Sequence, residues 1–109
     1  MAKHAFGIMQ KAPEPGEWYV DYEPRKYRCI CVHDDHVEKA VADWRGIDCY
    51  WHTLDTPAKG LAYAGITLIP PTSIPAWAAL IRNTAEWNGL KALLDKALAE
   101  DKWIIHFGI

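Results

Sequence analysis

An α+β fold built on one antiparallel sheet is the expectation for this chain, and three features carry it. Between Tyr27 and Ile109 the segments read strand, helix, strand, strand, helices, strand. The strand segments alternate in apolarity, whereas the helical segments repeat apolar residues every three or four positions. With 109 residues, 50% of them apolar and 24% charged, the chain has the size and balance of one domain with its own core.

Residues 1–24 are expected to form a hairpin appendage. His4–Met9 and Trp18–Tyr22 have strand composition, and Pro13-Glu14-Pro15-Gly16 between them is a turn signal. Pro24 marks the join to a core over 27–109. Tyr27–His33 is its first strand. Asp34 or Asp35 then caps a helix, and Asp35 followed by Glu38 matches a capping box. Val37, Ala40, Val41 and Trp44 form the apolar stripe of that helix, and Gly46 stops it.

Ile47–His52 is the second strand, 53–60 a loop with Pro57 and Gly60, and Leu61–Ile69 the third strand. Pro70-Pro71 ends it. Thr72 or Ser73 caps the next helix, whose first turn tolerates Pro75 and whose stripe is Trp77, Leu80 and Ile81. A further helix from Asn88 buries Leu90, Leu93, Leu94, Ala97 and Leu98, and Lys102–Ile109 is the closing strand.

Strand–helix–strand crossovers are right-handed in nearly all proteins. Two of them interleave the four core strands and gather the helices on one face, the ferredoxin-like βαββαβ arrangement. The other face then shows Tyr27, Cys29 and His33 beside Tyr50, His52 and Tyr63. Such a mixture suits neither a dry core nor a solvated surface, so a second copy of the chain, a small ligand or the hairpin is expected to cover it.

Composition excludes several classes. The formal net charge of -2, without a basic run, argues against a phosphate-backbone binder. No segment has the length of a membrane span or the pattern of a signal peptide, so no membrane partner is expected. Cys29, Cys31 and Cys49 are an odd set within strand segments, which predicts buried, reduced thiols and a cytoplasmic location. Most of the six tryptophans are expected in the core.

His52 and Asp55 are the catalytic candidates, because a histidine oriented by a carboxylate can serve as a general base near neutral pH. Turn chemistry accounts for Asp55-Thr56-Pro57 as well. His33, His36, Lys59 and Tyr63 are the ligand-binding candidates around the same strand ends. No metal or cofactor is expected. Helix capping explains the acids of His33-Asp34-Asp35-His36, and the cysteines lack the close pairing of a zinc framework. Neither a Gly-rich phosphate loop nor a nucleophile elbow is present.

Lys59-Gly60-Leu61-Ala62-Tyr63-Ala64 is similar in part to the RNA-recognition-motif pattern of a basic residue, Gly and third-strand aromatics. That family stacks bases on aromatics of neighbouring strands. Leu61 and Ile66 stand where two such aromatics belong, so single-stranded nucleic acid ranks last among the expected partners. The leading expectation is a non-catalytic homo-oligomer that self-associates through a sheet face or edge and binds a small polar ligand at the 52–63 loop. An enzyme using His52 and Asp55 is the alternative.

Overall fold

The computed structural model describes residues 2–109. Its strands are β1 (Lys3–Ile8), β2 (Ile30–His33), β3 (Asp48–Trp51), β4 (Pro57–Lys59), β5 (Ile66–Ile69) and β6 (Ile104–Phe107). Its α-helices are α1 (Asp34–Ala40), α2 (Ile74–Leu80) and α3 (Asn88–Ala99). The strands form one open antiparallel sheet in the order β2-β1-β6-β5-β3-β4. The α+β expectation therefore holds, but the ferredoxin-like order is not confirmed. The sheet has six strands, β2 pairs with β1 alone, and β6 lies between β1 and β5. Because β5 and β6 are antiparallel neighbours, the helices between them make no parallel crossover.

The N-terminus departs most from expectation. His4–Ile8 is buried throughout, because β1 is an interior strand with β2 on one side and β6 on the other. Apolar residues on both faces of a strand are sealed only by interior pairing and cover above and below. Trp18–Tyr22 forms no strand, so the expected hairpin does not exist. Instead, residues 10–29 cross the sheet face opposite the helices in irregular conformation. Gly7 makes that crossing possible, since a Cβ there would lie 2.7 Å from both Cys29 Sγ and Tyr27 Cβ.

Other boundaries shift for local reasons. Tyr27 ends a 3₁₀ turn over Pro24–Tyr27, and Arg28 beyond it takes the left-handed φ of 51°. His33 caps α1 in place of the two aspartates, its Nδ1 accepting from the Asp35 N–H at 3.1 Å. Residues 61–65 are turn rather than strand, closed by Gly65 N–H donating to Ala62 O at 3.0 Å. Pro57–Lys59, expected as loop, pairs with β3 as a short edge strand.

Strand alternation divides the interior in two. Phe6, Ile8, Val32, Cys49, Ile69 and Ile104 face the helices and pack against Leu90, Leu94 and Ala97 of α3. Trp44 and Trp77 are in contact at the centre of this layer, ring centroids 4.6 Å apart, and Trp87 stands edge-on to Trp44 at 5.8 Å. On the other face Ala5, Met9, Ile66, Leu68, Ile105 and Phe107 form a second cluster, covered by Tyr19, Tyr27 and Cys29 of the N-terminal segment. Among the described residues, no helix is long and apolar enough to cross a membrane.

Candidate functional site

Two histidines that are fully buried in the sheet organise the most ordered polar feature of the molecule. His4 and His106 stack with centroids 5.1 Å apart, and His4 Nδ1 lies 2.9 Å from His106 Nε2. His4 Nε2 lies 2.9 Å from Asp34 Oδ1 at the start of α1, and His106 Nδ1 lies 3.1 Å from Thr67 Oγ1 on β5. Thr67 Oγ1 accepts from the Ala62 N–H at 2.8 Å, and the Tyr63 hydroxyl donates to Asp34.

One set of protons satisfies this whole chain. An ionised Asp34 accepts from His4 Nε2–H, which leaves His4 Nδ1 to accept from His106 Nε2–H. His106 Nδ1 then accepts from the Thr67 hydroxyl. Both rings are neutral in this arrangement, and each polar atom has its partner. Burial and the neighbouring His4 hold the His106 imidazole well below the ordinary histidine range. Hydrogen bonds from Tyr63 and His4 lower the Asp34 carboxyl, and the same bond pushes the Tyr63 phenol up to about 12.

The backbone keeps Tyr63 in place, because Ile109 N–H donates to Tyr63 O at 3.1 Å and Gly108 N–H to Gly65 O at 2.7 Å. Thr67 is wholly buried, so its hydroxyl cannot reach a substrate and this chain ties β1, β5, β6 and α1 together.

The six predicted site residues do not converge. His52 and Asp55 share no hydrogen bond. His52 Nδ1–H donates to Tyr19 O at 2.9 Å and the His52 backbone takes a left-handed φ of 65°, while the Asp55 N–H bonds Thr53 Oγ1 at 3.3 Å. Exposed Lys59 is paired with Asp48. Tyr63 faces Asp34 and the His4 ring on the helix side of the sheet, so it offers no base-stacking platform on the other face. His33 is a helix cap. The carboxylates of Asp34, Asp35 and Glu38 come within 4.8 Å of one another at the first turns of α1, and Asp34 is already engaged by Tyr63 and His4.

Two of the predicted residues line concave sites, Lys59 beside Asp48 on β3 and β4, and His36 in a separate cleft. A cleft of about 230 Å³ opens between α1 with the 3₁₀ turn Val41–Trp44 on one side and residues 80–87 on the other. Buried Trp44 and Trp87 and the side chain of Ile81 supply an apolar lining. Lys39, Asp43, Arg82 and Glu86 supply charges of both signs. The His36 ring stands edge-on to Trp87 at 6.4 Å. Thr84 Oγ1 donates to Glu86 at 2.7 Å, and this bond leads the effects that hold the Glu86 carboxyl below its ordinary range. The buried indole N–H groups of Trp44, a lining residue, and of Trp77, which lines no part of the cleft, have no hydrogen-bond partner among the described residues.

The cysteines differ from one another. Cys49 is buried, Cys29 half-buried outside the strands, and Cys31 exposed on edge strand β2, so the expectation of three buried strand thiols holds at Cys49 and fails at Cys29 and Cys31. Burial pushes the Cys29 and Cys49 thiols up to about 12, which makes both poor nucleophiles.

His4 and His106, 102 positions apart, are not joined as partners by any local pattern. The signal was the echo of His-Ala-Phe-Gly-Ile at one end in His-Phe-Gly-Ile at the other, which turns out to mark two neighbouring strands. Compared with protein families, curated protein sequences and solved structures, the chain shows no significant match.

Proposed function

We propose that the protein is a non-catalytic binding domain whose cleft at His36, Trp44 and Trp87 takes a small polar ligand. The observation that carries this reading is a concave site with Trp87 and Ile81 in its lining under a rim of both charge signs. Pockets for drug-sized ligands measure about 300–1,000 Å³. A cleft of about 230 Å³ calls for something smaller, of amino-acid size, with an apolar body and charges that match Arg82 and Glu86.

Ligand-observed NMR with the common amino acids and small aromatic acids tests it, followed by Arg82→Gln and His36→Ala. Binding that perturbs residues 36–44 and 80–87 and weakens about tenfold in Arg82→Gln supports the reading. Binding that is indifferent to both variants, or none at all, removes it.

Self-association belongs to the same reading, through an edge rather than a face. Residues 10–29 occupy the non-helical face, whereas β2 ends the sheet and pairs on one side only. Native mass spectrometry decides this, since a bare monomer mass at working concentration eliminates the homodimer. A cytoplasmic setting fits the three free thiols.

A further inference from the structure

We infer that a second cleft, where the end of β1, the Tyr27–Arg28 turn and α3 meet, binds a phosphate group carried on a small apolar body. It measures about 500 Å³ and is lined by Gln10, Lys26, Arg28 and Lys96 around Ile8, Tyr27 and Leu93. Lysines and arginine bring three cations to one mouth, with no carboxylate in the lining, on a chain whose formal net charge is -2. Like charges gathered in a concavity repel one another and raise the local concentration of anions.

Among the described residues, two of the three cations are free of carboxylates, and the third is loosely held. Lys26 pairs with Glu23 at 3.7 Å, longer than a hydrogen bond, and lies 5.6 Å above the Tyr27 ring, which helps place its ammonium group. Arg28 and Lys96 make no side-chain ion pair among the described residues. The Gln10 carbonyl oxygen already accepts from Lys102, so the amide hydrogens remain for a ligand. Lys102 in turn holds Glu100 at 3.0 Å, and of Glu14 and Glu17 in the adjoining cleft that shares Ile8, Gln10, Lys26 and Tyr27, Glu14 is paired with Lys11.

Ammonium, guanidinium and amide N–H groups all donate. Their complement is an ion that only accepts, and a phosphate dianion does so with three oxygens. Ile8, Leu93 and the Tyr27 ring offer apolar contact to whatever carries the phosphate. Arg28 stands on the turn after Pro24, where Cys29 N–H donates to Pro24 O at 3.1 Å, which fixes its backbone at the mouth of the cleft.

The test titrates ¹⁵N-labelled full-length protein with inorganic pyrophosphate and with adenosine monophosphate, and in parallel co-sediments it with phosphatidylglycerol vesicles. Arg28→Gln and Lys96→Gln are each expected to weaken binding about tenfold or more. Lys91→Gln removes the same charge from the same helix at a side chain that donates to Asn83 at 3.0 Å, and is expected to change binding by no more than about twofold.

Shifts at residues 8–10, 26–28 and 93–96 with the soluble probes assign a free phosphorylated ligand. Vesicle binding alone, with the same variant pattern, assigns a lipid headgroup. Absence of both, or equal weakening by Lys91→Gln, overturns the inference. None of these residues lines the His36 cleft, so the two sites fail or stand separately.

Discussion

The two faces of the sheet are sealed by different means. On one, α1, α2 and α3 lay apolar side chains over Phe6, Ile8 and Ile104, with Trp44, Trp77 and Trp87 at the centre. On the other, an irregular segment with three tyrosines crosses Ile66, Leu68, Ile105 and Phe107. A helix bonds its own backbone and can cover a sheet with side chains alone. An irregular segment must find partners for its N–H and C=O groups outside itself or in tight turns. Here Tyr19 N–H donates to His52 O at 2.7 Å, the His52 ring donates back to Tyr19 O, and the Tyr22 hydroxyl reaches Ala64 O at 3.2 Å. The helix face thus joins its buried volume to the His4–His106 polar chain, whereas the cover on the other face is fixed over its own apolar cluster by a few hydrogen bonds.

The sharpest way to break that contrast is to remove volume at Trp44. Trp44→Ala is expected to cost about 3–5 kcal/mol, measured by urea unfolding, because the side chain is fully buried between Trp77 and Trp87. A comparable loss in Tyr19→Ala would show that the faces do not differ in kind.

The crossing at Gly7 comes next. Gly7→Ala places a methyl group within 2.7 Å of Cys29 Sγ and Tyr27 Cβ, and is expected to cost about 1–3 kcal/mol. Hydrogen exchange should then show the loss of protection concentrated in residues 19–29 rather than in α3. Uniform loss would mean that the segment unfolds only with the whole protein.

Acid tests the polar chain within the helix face. The folded His106 pKa lies below its ordinary 6.5, so in the window below that value the unfolded chain binds the proton and the folded chain does not. Stability is expected to fall as pH drops below 6.5. A second loss, from the lowered Asp34, follows as pH drops below 3.8. Urea midpoints between pH 7.5 and 5.5 should slope less in His106→Gln than in the parent. Equal slopes would remove His106 as the cause.

The smallest effect is expected at the staple. His52→Ala removes the bond to Tyr19 O and is expected to cost about 1 kcal/mol. His52→Gly should cost less, since the backbone φ of 65° strains any residue with a Cβ. The reverse order in chemical unfolding would show that the ring's packing matters more than the turn.

How much of this was legible follows from the range over which each signal acts. The spacing of Leu90, Leu94 and Ala97 identified α3 within one segment, and the Asn88 start is as expected, although Leu98, expected on the same stripe, is exposed. Among the candidate residues, His36 lines a cleft, whereas His52 and Asp55 were paired only by their nearness in sequence. Proximity along the chain says little about where two side chains point once one of them sits at a left-handed turn.

Local chemistry accounts for the helices, for most strand segments and for the burial of Trp44 and Trp77, because periods of two and 3.6 residues are written into neighbouring positions. The order of the strands could come only from the assembled molecule. Placing β1 between β2 and β6 sets His4 beside His106, 102 positions away, and brings the 61–65 turn and the start of α1 to the same polar chain. Strands of similar composition compete for the same places in a sheet. The winning arrangement is the one that buries both faces of β1 and leaves both histidines fully hydrogen-bonded, a balance set by every element together.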